Sequence, residues 1–125
     1  MSKVHHPELG KCLTTKNVIS KTGRIMWCVR EEGARKTDNG WRFFSEYDTE
    51  EYLVNANNWV VIDFDEIVKI EPALLSLMWM PYGTELTIDY RENETVFFDD
   101  RTGKPAINPM DGSSMIKKCI RKNDR

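Results

Sequence analysis

Three cysteines and two histidines are the residues of this 125-residue chain from which nucleophilic or metal chemistry would be built. A thiolate nucleophile needs a base within hydrogen-bond reach. His5 and His6 stand in a polar N-terminal stretch without hydrophobic periodicity, whereas Cys12, Cys28 and Cys119 are spread along the chain. No Cys–His pair is therefore expected inside the fold. The odd number and wide spacing of the cysteines match neither a disulfide framework nor a CxxC pair, so they read as reduced thiols. Adjacent histidines without a third ligand make a poor zinc site. Asp63-Phe64-Asp65-Glu66 and Phe98-Asp99-Asp100 imitate the paired acids of metal or acid–base sites, but the first has the pattern of a helix start and the second of a strand end. Gly103-Lys104-Pro105 lacks the upstream glycine and the following Ser/Thr of a phosphate loop. No catalytic set, metal or cofactor is expected, and the chain is read as a non-enzyme.

The elements that would position any site follow from local patterning. Residues 1–10 are expected to form a flexible N-terminus and 11–125 one domain, since this length suits a single core. Lys11–Thr15 is a candidate strand. Arg24–Arg30 is rich in strand formers, with Ile25, Trp27 and Val29 on one face and Met26 and Cys28 on the other, which predicts a central strand buried on both sides. Glu31–Asn39 leads into Asp38-Asn39-Gly40, a turn composition, and Trp41–Ser45 alternates Trp41 and Phe43 against Arg42 and Phe44. Asp48–Leu53 starts acidic, as a helix does, and Asn55–Asn58 breaks it. Trp59–Ile62 predicts a strand, followed by a short helix with Asp63 as N-cap and Glu66 completing a capping box. Pro72 opens a further helical piece, Ala73–Met78, with Leu74, Leu75 and Met78 inward, closed by Pro81-Tyr82-Gly83. Thr84–Tyr90 and Thr95–Phe98 pair as a hairpin across Arg91–Glu94. Met115–Arg121 fits either a strand or a helical turn. The expected class is α+β: a mainly antiparallel sheet with one or two short helices packed on one face.

Charge is distributed in blocks. Residues 1–42 hold nine Lys/Arg against four Asp/Glu, residues 43–100 two against fourteen, and residues 101–125 seven against two. Two readings of the acidic middle stay open: a solvated face neutralised by the basic ends, or a docking surface for a cationic protein. A nucleic-acid partner is not expected, because displacing counterions from phosphates needs a cationic stripe, and the basic run Lys117–Lys122 is short and terminal. The longest mainly apolar run, Leu74–Pro81, is far short of the roughly 20 residues that cross a bilayer, and Met1–Glu8 has no secretory pattern. A cytoplasmic protein without a membrane partner is expected.

Val29-Arg30-Glu31-Glu32, then Asp38-Asn39-Gly40-Trp41-Arg42-Phe43-Phe44-Ser45, Glu50-Glu51-Tyr52-Leu53, Pro72-Ala73-Leu74-Leu75 and Pro81-Tyr82-Gly83 together resemble the pattern of the immunity protein 33 family, small bacterial domains found beside polymorphic toxins. The resemblance covers about residues 12–88, is most specific at Gly40–Phe44, and leaves 89–125 as an extension. Asn39 stands where the family has a small Ser, and Glu46-Tyr47-Asp48 where it has a Gly and an acid. The resemblance implies neutralisation of a cognate toxin by tight binding without turnover. The acidic middle implies that the toxin presents a basic surface. Within the motif, Arg30, Glu31, Gly40, Trp41, Arg42, Phe43 and Phe44 are read as structural, with Trp41 and Phe43 in the core and Arg42 paired with Glu31 or Asp48. Glu46, Asp48, Glu50, Glu51 and Tyr52, on a turn beside a rigid strand, are the expected partner contacts. The alternative is a non-catalytic regulatory or adaptor module with another partner; a small hydrolase would require an ordered pocket of convergent ionisable groups.

Overall fold

The computed structural model describes residues 9–33 and 36–118. His5, His6, Cys119 and the basic residues that follow Cys119 lie outside them. Eight strands form one sheet: β1 (Lys11–Thr15), β2 (Ile25–Arg30), β3 (Asp38–Ser45), β4 (Trp59–Asp63), β5 (Glu85–Tyr90), β6 (Glu94–Asp99), β7 (Lys104–Pro105) and β8 (Ile116–Lys118). The order is β4-β1-β3-β2-β5-β6-β7, with β8 also pairing β6. Only β1 and β3 run parallel; the other neighbours are antiparallel. The segment Met115–Arg121 thus contributes a strand at Ile116–Lys118. Short helices α1 (Lys16–Ile19), α2 (Glu50–Leu53) and α3 (Phe64–Ile70), and 3-10 helices at Ala56–Asn58 and Pro72–Leu77, complete the α+β architecture of the described residues. No helix among the described residues is long and apolar enough to cross a membrane.

One sheet face is the core. Cys12 from β1, Cys28 from β2, Trp41 and Phe43 from β3, Leu86 and Ile88 from β5, and Phe97 from β6 meet Phe64 and Ile67 of α3 and Leu74 and Leu77 of the 3-10 helix. Trp41 stacks on Phe43 at 5.9 Å between ring centroids, and Phe43 meets Phe64 at 6.1 Å. Each large side chain so buried contributes about 1.5–3 kcal/mol.

The other face is open, which corrects the expectation for β2. Trp27 pairs with Phe44 and Thr87, Val29 with Arg42 and Glu85, on the face that no helix of the core cluster covers. Trp27 is 39% exposed. Nor do Ile25 and Trp27 share a face. The register shifts between them, so Ile25 enters the core while Trp27 points outward. An extra residue in one strand reverses side-chain alternation, and an alternation count along one strand alone does not see it.

Two helical expectations also change. Leu75 is 49% exposed, whereas Leu74 and Leu77 are fully buried. In a 3-10 helix side chains three apart eclipse, so Leu77 takes the inward place beside Leu74 that an α-helical count gives to Leu75, while Met78 packs against the core as expected. Asp63 precedes α3, but its side chain makes no cap hydrogen bond. Lys11 Nζ donates to Asp63 Oδ1 at 2.7 Å instead, tying β1 to β4.

Leu74→Ala is expected to cost about 2–5 kcal/mol by urea unfolding, the range for emptying a packed leucine site. Leu75→Ala should stay within about 0.5 kcal/mol of the parent. The contrast reads out the 3-10 register.

Candidate functional site

β2 and β3 are antiparallel neighbours, and the start of β3 is organised by side chains of the motif. Asp38 Oδ1 accepts from Gly40 N and Asn39 Oδ1 from Trp41 N, each at 2.9 Å. Gly40 has φ +90°, and a Cβ there would stand 2.0 Å from the Glu31 carbonyl oxygen. Only glycine fits such a close, left-handed approach. β1 advances from Lys11 to Leu13 while β3 advances from Asp38 to Arg42, so the irregularity falls at this glycine.

Arg42 closes the arrangement. Its Nη1 and Nη2 donate to both carboxylate oxygens of Asp38 at 2.8 Å, and its Nε donates to Glu31 Oε2 at 2.8 Å. The side chain is 7% exposed. Hydrogen bonding to Asp38, then to Glu31, outweighs burial and pushes the guanidinium pKa above its ordinary value. Of the two partners expected for Arg42, Glu31 is present and Asp48 is not. Asp48 Oδ2 accepts from Ser45 N and its Oδ1 from Asn17 Nδ2, both at 2.8 Å, which ties the turn after β3 to α1. Arg30 works on the opposite side of the sheet. Its Nε donates to the Asn39 carbonyl at 2.8 Å and its Nη1 to the Met80 carbonyl at 2.7 Å, with the guanidinium over the Tyr82 ring.

The expected contact residues follow directly. Glu46 is exposed and accepts from Arg24 N at 3.0 Å. Thr49 caps α2, its Oγ1 accepting from Tyr52 N at 3.1 Å, and places the exposed Glu50 and Glu51 in the first turn, where the helix dipole favours acids. Tyr52 is half-buried, and its carbonyl accepts from Asn58 Nδ2 at 2.8 Å. Glu46, Glu50 and Glu51 thus face solvent, whereas Asp48 also fastens the backbone that presents them.

Beside α2 the open sheet face forms a groove of about 490 Å³. Its floor is Leu13, Val29, Arg42 and Phe44; its wall is Leu53, Val54, Ala56 and Trp59; Glu31 stands at its margin. Phe44 and Trp59 meet edge to face at 5.4 Å. Trp59 Nε1 donates to the Leu53 carbonyl at 2.8 Å, holding the end of α2 against β4. Sequence reasoning missed the groove, because a central strand was expected to be covered on both faces. Its one legible signal was Arg42, a charged residue alternating with Trp41 and Phe43.

The carboxylate clusters serve the fold. Asp63 pairs with Lys11, Glu66 with Lys69 at 3.0 Å, and Asp100 accepts from Thr87 Oγ1 at 2.6 Å. Among the described residues no three His, Cys, Asp or Glu side chains are grouped to hold a metal ion. Burial pushes the Cys12 thiol pKa up to about 12 and that of Cys28 higher still, so neither is a nucleophile at neutral pH.

The sequence profile of the family described as "Immunity protein Imm33 domain" matches residues 12–98, which run from β1 to β6 and include the Arg42 network, α2 and the groove. No curated protein matches the chain, and no solved structure does.

Arg42→Met is expected to cost about 2–4 kcal/mol by urea unfolding, since it leaves Asp38 and Glu31 facing each other without their cation. The thiols give a pH dependence. An unfolded thiol ionises near 9.0 while Cys12 stays protonated to about 12 in the fold. Over that window the folded state binds more protons, so stability falls as pH rises. The stability advantage of the parent over Cys12→Ala should shrink by about 2 kcal/mol between about pH 8 and about pH 10.5.

Proposed function

This chain belongs to the Imm33 immunity-protein family, and we propose that it neutralises one cognate bacterial toxin by binding it in the cytoplasm through an acidic surface, without chemical turnover. The observation that carries the reading is the presentation of Glu46, Glu50 and Glu51 in solvent on a turn and a capped helix, with Asp48 and Tyr52 supporting them. An immunity protein must capture its toxin faster than the toxin reaches its target. Complementary charge raises encounter rates, and carboxylates held on a rigid turn lose little freedom on contact. Lys69 is the one Lys or Arg between residues 43 and 90, and Glu66 holds it. The partner is accordingly a protein with a basic surface. Inhibition by coverage needs no catalytic group, cofactor or metal on this chain.

The purified product of the neighbouring gene provides the test. Its complex with this protein should weaken at least tenfold between about 0.05 M and about 0.5 M salt, as screened charges do. Glu50→Lys with Glu51→Lys should weaken it by about tenfold or more, or about 1.4 kcal/mol, mainly through the association rate. Binding that ignores both salt and charge reversal would falsify the acidic surface. No binding by the unaltered protein would favour an adaptor role with another partner.

A further inference from the structure

Resting on the immunity reading, we propose that the groove on the open sheet face seats the anchoring side chain of the toxin: an apolar residue flanked by lysines or arginines on a basic protein surface. The acidic turn attracts such a partner, and the groove gives it somewhere to lodge.

Shape and composition suit an anchor. The groove walls are strand and capped helix, held by the Trp59 Nε1–Leu53 carbonyl bond, so little has to be ordered when a partner arrives. Binding energy in protein interfaces concentrates where an aliphatic or aromatic side chain fills a rigid apolar pocket ringed by polar groups. Two valines stand unusually open around it. Val54, in the groove wall, is 83% exposed, and Val61, paired with the groove residue Leu13 on the same face, is 63% exposed. The apolar surface continues across the face through Trp27, the cross-strand neighbour of Phe44. Contiguous apolar surface of this kind marks interaction sites.

Charge selects the occupant. Arg42, the cation in the groove, is shared by Asp38 and Glu31, two carboxylates against one guanidinium, so the ion network that borders the groove leaves Arg42 no free positive charge and is net negative. Glu50 lies one helical turn ahead of Val54 and adds to it. An acidic or neutral partner gains nothing from this field, whereas a cationic rim around an apolar centre matches it. The larger cleft of about 600 Å³ near Tyr82 and Ile107 has the wrong sign, with Arg101 and Lys104 against Asp99.

The experiment separates anchoring from attraction by neutral substitutions. Val54→Gln with Val61→Gln alters solvent-exposed positions and leaves charge unchanged. With the purified product of the neighbouring gene as probe, stopped-flow and surface-capture kinetics should show the dissociation rate raised at least about tenfold and the association rate within about twofold of the parent. Trp79→Gln, also exposed but outside the groove, should change neither rate. A valine pair that dissociates like the parent overturns the groove while leaving the acidic-surface reading intact. Dissociation accelerated by Trp79→Gln alone places the anchor elsewhere and overturns it equally. Absence of any complex with the unaltered protein overturns both readings.

Discussion

Arg42 is the residue on which the rest of the described structure turns. Its guanidinium is a planar fork, and the motif surrounds it with carboxylates at hydrogen-bonding distance on two of its edges. Asp38 lies on its own strand four residues back, and Glu31 lies at the far side of the loop. The pairings therefore close the β2–β3 connection and set the register of β3 against β1 at the glycine irregularity. The same network lets a charged residue occupy a sheet face whose neighbours are Leu13, Val29 and Phe44. A buried guanidinium without those carboxylates would cost several kcal/mol.

The motif therefore serves both faces of the sheet, with Glu31, Arg42 and Phe44 lining the groove on the open one. Trp41 and Phe43 face the core and hold β3 in place, while Arg42 and Phe44, alternating with them, face outward. A strand locked on one side by stacked aromatics presents its other side with little freedom. The acidic turn begins directly after that strand, with Asp48 bonded to the Ser45 amide, so the carboxylates inherit the rigidity of β3. The exposed carboxylates and the groove thereby lie on adjoining parts of one surface.

Much of the α+β layout was legible in local pattern. The strands at Lys11–Thr15, Trp41–Ser45 and Trp59–Ile62, the hairpin of β5 and β6, and the acidic helix start at Glu50 follow from strand-former runs, alternation and dipole preference. The family resemblance read from Gly40–Phe44 matches the profile found over residues 12–98. Asp63 holds the expected N-cap position but makes no side-chain cap bond, and Leu75 as core, Ile25 on the face of Trp27 and β2 as doubly covered were read otherwise than the structure has them. Lys11 takes the Asp63 carboxylate and a bulge against β3 resets Ile25, both through neighbours distant in sequence; the 3-10 period resets Leu75 locally; and the helices of the core cluster cover one side of the sheet while α2 borders the other.

Alternation, composition and charge blocks by themselves determined which segments extend, that the core is aromatic, and that the middle of the chain is acidic, because those properties depend on residues close in sequence. Tertiary structure alone decided that Arg42 takes Asp38 beside the expected Glu31 and leaves Asp48 to another role, that one sheet face stays open, and that α2 overhangs it to make a groove. These depend on which elements meet in space, and such a meeting leaves no periodic trace in either segment.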